Sequence, residues 1–403
     1  MERVETAIVL HGNMQYAEFP KGKMPEVVAL CYEPLLEQLA NVPEARIVFN
    51  FSGYTLELLA KSNPRVVDLL RAGIEGGRYE LTATAYAHAI LPLVPVADAK
   101  LQVEEDFRVK EQILGYRPKG FFPPELAYDP TLPSVLRKLG IKWLFIDGEH
   151  LEFSEKYSMN TAVPFGKKLP PSFLGLLSKL ERGSLGEKLI AAVRLLRLIK
   201  RVTTRQDWSP VRLQGAGAEI SAFQTSQVWH LFSGACLAGL FGQKPKTLKR
   251  RVMTVGRRGL LMPWASDIEF VGYRDMMGKI IKVERFVELI AWLAKNTKMT
   301  LPSNYLADHP ADRSVYLKTG SWEHDKQLEL WWRDADNMRL NALCDEVRSA
   351  VNRMPKDSPT YREAIKHLLL AEGSDGRGWV PIPERRLDCF EHALAALGLT
   401  ELH

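Results

Sequence analysis

The sequence predicts an α/β fold in which strands and helices alternate around a parallel sheet. Over about the first 150 residues, short apolar runs rich in strand formers alternate with longer stretches of helical periodicity, as in successive βα units. A length of 403 residues with 46% hydrophobic content is enough to bury one large core or two ordinary ones. The 28 Gly and 24 Pro are spread along the chain, which excludes collagen-like and low-complexity proteins.

Four βα units and a fifth strand can be assigned in order along this region. Each strand is an apolar run bounded by turn residues, and each helix carries apolar residues at helical spacing. The predicted strands are Glu5–Leu10, Arg46–Phe51, Glu80–Ala83, Gly120–Phe122 and Trp143–Ile146. The predicted helices are Met24–Leu39, Leu56–Leu59 with Pro64–Ala72, Ala97–Leu114 and Pro130–Leu139. Ligands of parallel α/β folds bind at the carboxyl ends of the strands, so the polar residues after these strands should line one cleft.

The rest of the chain departs from this rhythm. Residues 156–206 are basic and helical in pattern, which predicts an insertion or cap, and the next strand is Gly259–Trp264. Beyond residue 283 the pattern is mainly helical, with one β-like interruption at Ser314–Thr319. The predicted helices there are Val283–Ala294, Leu328–Arg348, Tyr361–Leu370 and Arg385–Leu397. We therefore predict a sheet domain over residues 1–282 and a helical region over residues 283–403 that packs on it.

The charge and cysteine content argue against nucleic-acid-binding, disulfide-rich and zinc-ribbon proteins. Lys and Arg number 54 against 48 Asp and Glu, a net charge of +6 concentrated in residues 179–205 and 244–258. Apolar residues interleave at helical spacing in the first stretch, which favours the solvated face of an amphipathic helix over a nucleic-acid site. Cys31, Cys236, Cys344 and Cys389 form no C-x-x-C pair, which indicates reduced core thiols rather than a disulfide framework or zinc ribbon.

The apolar runs are far shorter than the roughly 20 residues that cross a bilayer, so no membrane span is predicted. The first residues lack the apolar region and cleavage site of a secretory signal, so we expect a cytoplasmic protein. No pattern in the sequence predicts the oligomeric state, so a homo-oligomer is an open alternative to a monomer.

Two carboxylates stand out as candidate catalytic groups. Glu125 follows Pro123 and Pro124, whose fixed φ angles and missing N–H donors give the acid a stiff stem at the end of a strand. Asp267 and Glu269 follow the strand at Gly259–Trp264, and the alternation of an extended chain would place both on one face. Paired carboxylates flanking a glycosidic bond are the apparatus of sugar hydrolysis, whereas an acid after proline also occurs at ordinary helix starts.

Several segments together resemble glycoside hydrolase family 57 over nearly the whole chain, with most likeness to its archaeal α-galactosidase-like members. The matching segments are Leu10–Glu18, Ser52–Leu59, Tyr86–Leu93, Pro124–Pro130, Ser266–Arg274 and Ser374–Trp379. The resemblance implies an incomplete (β/α)7 barrel followed by a helical region that closes over the cleft. It also implies a retaining mechanism with no metal or other cofactor, in which Glu125 is the nucleophile and Asp267 is the general acid/base. The segment His11-Gly12-Asn13 differs from the start of the amylase-like members and favours the galactosidase-like branch.

Further residues are candidates for substrate contact in the same cleft. Imidazole and amide groups placed after strands can bond sugar hydroxyls, and indole faces stack on pyranose rings. The predicted substrate-binding residues are His11, Asn13, His88, Trp264, Glu269, Asp375 and Trp379. Asp147, Glu149 and His150, with His11, are residue types that can bind a metal, but they lack the usual ligand spacing, so no metal site is predicted.

The sequence therefore predicts a retaining α-glycosidase that acts on oligosaccharides or polysaccharides, namely an α-galactosidase-like enzyme. The first alternative is an α-1,4-glucan enzyme of the same family, an α-amylase or 4-α-glucanotransferase. The second is a carbohydrate-binding or nucleic-acid-binding protein without catalytic activity.

Overall fold

Thirteen strands and fifteen helices of the α type occur in the part of the chain that the computed structural model describes, namely residues 3–156, 179, 184–255, 258–323 and 326–401. The strands are Glu5–Gly12 (β1), Ile47–Phe51 (β2), Tyr79–Leu81 (β3), Gly120–Phe121 (β4), Trp143–Asp147 (β5), Asp207–Trp208 (β6), Val211–Gln214 (β7), Glu219–Thr225 (β8), Arg258–Asp267 (β9), Asp275–Met276 (β10), Lys279–Ile280 (β11), Lys298–Met299 (β12) and Arg313–Val315 (β13).

The helices lie between and after these strands. They are Met24–Val27 (α1), Glu33–Ala40 (α2), Gly53–Ser62 (α3), Pro64–Glu75 (α4), Val96–Leu114 (α5), Leu132–Lys138 (α6), Gly148–Lys156 (α7), Leu185–Val202 (α8), Gln227–Ala238 (α9), Pro245–Thr254 (α10), Val283–Asn296 (α11), Pro302–Asp308 (α12), Ala335–Val351 (α13), Pro359–Ala371 (α14) and Pro383–Thr400 (α15). A π-helical turn, Val28–Tyr32, joins α1 to α2, so the predicted helix over Met24–Leu39 is nearly continuous.

Seven strands run parallel in the order β9-β1-β2-β3-β4-β5-β8. A parallel bridge between Ala83 and Phe121 joins the two halves of this sheet between β3 and β4. Within the described residues, the end strands β8 and β9 do not pair with each other, so the ring stays open on that side. The predicted α/β fold, an incomplete seven-stranded barrel followed by helices, is thus observed.

Alternate residues of the barrel strands face two different cores. On β1, Ala7 and Val9 belong to the inner core with Phe145 and Met262, whereas Ile8 and Leu10 belong to the outer core between sheet and helices. This alternation explains why β1 is apolar along its length, since a strand covered on both faces has no solvent side. The barrel interior is therefore filled by side chains below the strand ends, and the ends themselves are left to form a site.

Strand β8 and helix α9 were missed by the sequence analysis, which placed no strand between residues 206 and 259. Strand β8 pairs with β5 over five residues as the seventh strand of the open ring, and β7 runs antiparallel to it as a hairpin. The signal was present in Gly-Ala-Gly-Ala at residues 215–218, a turn between two short alternating runs. The prediction instead followed the basic, helical pattern of residues 156–206 and resumed the strands only at Gly259.

The predicted insertion at residues 156–206 lies largely outside the described residues. Its described part contains α8, on which Arg194, Arg197 and Lys200 are exposed. The predicted division at residue 282 stays a prediction, and the segment after it also supplies strands: β12 pairs with β1, and β13 pairs with β7. Helices α13, α14 and α15 share a core of their own.

No helix in the described part of the chain has the length and apolar character of a transmembrane span. All four cysteines are free and buried, in keeping with the interpretation as core thiols.

Candidate active site

A cavity lies at the carboxyl ends of the barrel strands and has a volume of about 1110 Å³ with its open mouth included. Both candidate catalytic residues and five of the predicted substrate-binding residues line it. They are Glu125, Asp267, His11, Asn13, His88, Asp375 and Trp379. The strand ends of the barrel and a loop from the helical region thus meet at one site.

Glu125 is held by two indole groups. One carboxylate oxygen, Oε2, accepts a hydrogen bond from Trp322 Nε1 at 2.6 Å and another from Trp379 Nε1 at 2.9 Å. Burial raises the pKa of Glu125 to about 8, against the lowering effect of the two indole donors, and the charges of Asp375 and Asp267 raise it further. The donors fix the carboxyl group and favour its charged form, which is the form that attacks.

The backbone at this site is strained. Of the eight non-glycine residues with positive φ in the described chain, four line the cavity. These four are His88, Glu125, Leu126 and Trp379. At Glu125 φ is 56° inside the short turn Pro124–Leu126, so the proline stem expected from the sequence delivers the acid in a left-handed conformation. Such conformations cost about 1–3 kcal/mol each and persist only where the surroundings hold them, a pattern concentrated at functional sites.

Asp267 ends β9 and is bonded by two groups that the sequence analysis did not select. Its Oδ2 accepts a hydrogen bond from Tyr16 Oη at 2.5 Å, and Arg274 Nη1 lies 3.4 Å from the same oxygen. Arg274 also donates to Tyr16 Oη, and its other terminal nitrogen bonds Glu18 at 2.8 Å. Both contacts from Tyr16 and Arg274 fall on Oδ2, which leaves Oδ1 for a reacting group.

Two histidines and an amide form the floor of the cavity. His11 and His88 stack with ring centroids 5.0 Å apart, and burial lowers the pKa of each to about 4. Asn13 Nδ2 donates to both carboxylate oxygens of Asp375, at 3.0 and 2.9 Å, and burial raises the pKa of Asp375 to about 6. Neutral imidazoles can donate and accept at once, which suits hydroxyl groups of a sugar.

The loop that carries Asp375 and Trp379 is fixed to the barrel by its backbone. Gly373 forms an antiparallel bridge with Ala89, and Ser374 N–H donates to His88 C=O at 3.2 Å. A Cβ at Gly373 would lie 2.9 Å from Ala87 O, so the close approach of these two chains requires glycine. The helical region therefore supplies two cavity residues at a set position.

Two of the predicted substrate-binding residues do not line the cavity. Trp264 is fully buried, packs edge-on against Phe286 at 5.0 Å in the outer core, and lines no part of the cavity. Glu269 is also fully buried, accepts from Tyr32 Oη and from the backbone N–H of Asn13, and lies behind the site. Strand alternation failed for Glu269 because β9 ends at Asp267 and a 3₁₀ turn, Ile268–Phe270, follows.

The cavity also contains residues that sequence reasoning passed over. Gln227 and His230 come from α9, the helix after the missed strand, and Tyr16 and Arg274 flank Asp267. Trp322, which lines the cavity as well, is not among the residues predicted from the sequence. Tyr16 and Arg274 lie within the segments that carry the family resemblance, which was the available signal for them, whereas Gln227 and His230 required β8 to be recognised.

Among the described residues, no group of three or more His, Cys, Asp or Glu side chains has an arrangement that could hold a metal ion. Asp147, a residue type that can bind a metal, instead forms an ion pair with Lys326 at 2.8 Å.

Comparison with known proteins shows which family and which curated relatives this chain is similar to. Residues 5–169 match the family described as Glycosyl hydrolase family 57. The chain is 30% identical over 152 residues to the 4-alpha-glucanotransferase of Thermococcus litoralis, and the match covers 37% of this chain and 22% of that protein. It is 27% identical over 152 residues to the alpha-amylase of Pyrococcus abyssi, covering 37% of this chain and 23% of that protein.

Solved structures extend the likeness to the whole fold. The 4-alpha-glucanotransferase of Thermococcus litoralis superposes with a TM-score of 0.71 and 18% identity, covering 98% of this chain and 60% of that one. An alpha-amylase of Thermotoga maritima gives a TM-score of 0.67 and 12% identity, covering 100% of this chain and 93% of that one. The sequence matches thus span about a fifth of the curated relatives they involve, and at these identities the structures show the fold alone. Together the matches show similarity to this family over residues 5–169, which include the first strands of the barrel.

Proposed function

We propose that this chain is a member of glycosyl hydrolase family 57 and a retaining enzyme that acts on α-1,4-linked glucans, by hydrolysis or by transfer to a second sugar. The observation that carries the proposal is the meeting of Glu125 and Asp267 in one cavity, each with its own set of hydrogen-bond donors. A pair of acids in different surroundings, on either side of a sugar-sized space, is what glycoside cleavage requires.

In the first step, Glu125 attacks the anomeric carbon while Asp267 protonates the departing glycosidic oxygen. The carbon–oxygen bond to the leaving sugar breaks, and a covalent glycosyl ester forms on Glu125. In the second step, Asp267 takes a proton from water or from an acceptor hydroxyl, which attacks the same carbon and releases Glu125. Retention requires the two carboxyl groups to lie about 5–5.5 Å apart, which remains a prediction for this pair.

The environment of each acid fits its proposed role. Trp322 and Trp379 both donate to the same oxygen of Glu125, so they hold the carboxylate in one orientation and stabilise its charge. Tyr16 and Arg274 hold Oδ2 of Asp267, so Oδ1 is the oxygen that carries the transferred proton. The neutral histidines and the Asn13–Asp375 pair supply donors and acceptors for the hydroxyls of the bound sugar.

The relatives favour glucans over galactosides. The proteins matched above are described as acting on α-glucans, and the α-galactosidase-like prediction finds no support among them. The motif His11-Gly12-Asn13, which had favoured galactosides, is explained here by local geometry, because Asn13 bonds Asp375 and the backbone N–H of Asn13 bonds Glu269.

Activity on defined sugars tests this proposal. We expect maltooligosaccharides to be cleaved or disproportionated, with the α-anomer formed first, and chromogenic α-galactosides to react at least about 100-fold more slowly in kcat/KM, since a site built to bond one hydroxyl configuration rejects the other. Product chromatography and proton NMR of the nascent anomer measure both. Turnover of α-galactosides alone would restore the galactosidase prediction.

The pH dependence follows from the buried nucleophile. Because kcat/KM reports ionisation of the free enzyme, and Glu125 must be ionised to attack, kcat/KM should fall about tenfold per pH unit below a midpoint near the pKa of about 8. A rate profile between pH 5 and 10 on one maltooligosaccharide is the measurement. A plateau that extends down to pH 5 would show that Glu125 does not control the acid limb.

A further inference from the structure

A loop outside the barrel, residues 320–323 and 326–327 in the described chain, brings Trp322 to Glu125. Its first residue, Gly320, exchanges two backbone hydrogen bonds with Tyr128, at 2.8 and 3.0 Å. Trp322 N–H then reaches the backbone C=O of Glu125 at 3.4 Å, and its indole reaches the side chain. The position of one of the two donors on Glu125 is therefore set by how this loop is held.

The loop is held from inside by a buried lysine. Lys326 is 7% exposed, and its Nζ donates to Asp147 Oδ2 at 2.8 Å and to the backbone C=O of Trp322 at 3.0 Å. Asp147 is the fully buried last residue of β5, on the barrel wall. Gln227 Nε2 donates to the same C=O of Trp322 at 3.1 Å. One ammonium group thus links the barrel to the peptide that carries the indole.

We propose that Lys326, paired with Asp147, is a positioning residue that fixes the Trp322 indole on Glu125. The inference rests on the proposed function, because it assigns Glu125 the role of nucleophile. Lys326 touches neither the cavity nor the reacting atoms and acts through the loop.

Energetics argue against a purely stabilising role. A buried ion pair gives little net stability, since the cost of removing both charges from water offsets their attraction, and apolar residues of the same volume often stabilise as well or better. Lys326 also adopts a left-handed conformation, with φ of 57°, which adds strain. What the lysine supplies that an apolar side chain would not is a donor to the Trp322 carbonyl.

The charged groups around the pair are few and close. Glu149 Oε2 lies 3.7 Å from Lys326 Nζ, and the charges of Asp147, Glu149 and Glu323 raise the pKa of Lys326 against the effect of burial, so the ammonium stays charged. His150, next to Asp147, has its pKa lowered to about 4 by burial and is neutral near pH 7. Around Glu125 itself the titratable neighbours are Asp375 and Asp267.

The test uses the double variant Lys326→Met with Asp147→Asn, which removes both charges of the Lys326–Asp147 pair together. We expect kcat/KM on a maltooligosaccharide to fall by roughly 10²-fold, the effect of a misplacement of about 1 Å at a reacting group. We also expect the acid-limb midpoint of kcat/KM to rise by about one pH unit, since Glu125 loses a donor that favours its charged form. Lys23→Met, which removes an exposed ion pair of similar length to Glu26, is the matched control and should change neither value.

The variant Trp322→Phe is a second test, which does not depend on whether the charge variants fold correctly. It should raise the midpoint by the same amount, and adding Lys326→Met with Asp147→Asn to it should cause little further loss, because both changes remove one interaction. The inference would be overturned if the losses in kcat/KM from Trp322→Phe and from the double variant multiplied in the combined variant. It would also be overturned if Trp322→Phe left the acid-limb midpoint unchanged, or if the double variant kept the wild-type kcat/KM. The proposed function is judged separately, by whether the wild-type protein turns over maltooligosaccharides.

Discussion

Replacing Glu125 by alanine should lower kcat on maltooligosaccharides by on the order of 10⁴- to 10⁶-fold, the range found when a covalent catalyst loses its nucleophile or the base that activates it. The Glu125 carboxylate lies in the cavity on a strained turn, where two indole N–H groups bond it. A neutral water molecule in the space left by alanine would not supply the negative charge of the nucleophile. Steady-state rates on a maltooligosaccharide, with circular dichroism to confirm folding, measure the effect.

Azide separates a nucleophile from a residue that merely binds sugar. In Glu125→Ala, azide can enter the vacated space and attack the anomeric carbon of an activated α-glucoside, which gives a glycosyl azide of inverted, β configuration. Glu80→Gln is a suitable control, since Glu80 is also buried but lies within β3, bonds Ser303 and does not line the cavity. A carbohydrate-binding protein without catalysis would show no rate to lose and no azide product.

Replacing Asp267 by alanine should lower kcat on maltooligosaccharides by about 10²- to 10⁴-fold, the usual contribution of a general acid/base. The loss in the first step should be far smaller for α-glucosyl fluoride, because fluoride departs without a proton. The second step still lacks its base, so the covalent glycosyl-enzyme should accumulate. Equal losses on both substrates, measured by pre-steady-state release of the leaving group, would contradict an acid/base role for Asp267.

Local patterns in the sequence were sufficient for most of the barrel. Strands β1 to β5 and the helices between them follow from apolar runs and helical spacing, since each strand is buried on both faces and each helix on one. Strand β8 could not be found that way, because its apolar residues are few and its pairing with β5 is made 70 or more residues away in the chain.

Residues of the candidate site could be predicted from the sequence where a polar side chain lies at the end of a strand or in the turn after it. Glu125, Asp267, His11 and His88 come from strand ends or the turns after them, so topology alone placed them at one edge. Trp264 and Glu269 show the limit: their neighbours in sequence line the cavity, but a strand facing the outer core and a change from strand to 3₁₀ turn directed both side chains away. Tyr16, Arg274 and Lys326 act through contacts with residues distant in the chain, and no local pattern reports such contacts.

A covalent intermediate on Glu125 can be trapped in a variant that forms it but does not release it. Asp267→Ala would be incubated with α-glucosyl fluoride, digested with pepsin in acid, and mapped by mass spectrometry. We expect a single hexosyl unit on the peptide that contains Glu125, and none when Glu125→Ala is added. A hexosyl unit on any other carboxylate, or turnover that yields the inverted anomer without an adduct, would contradict it.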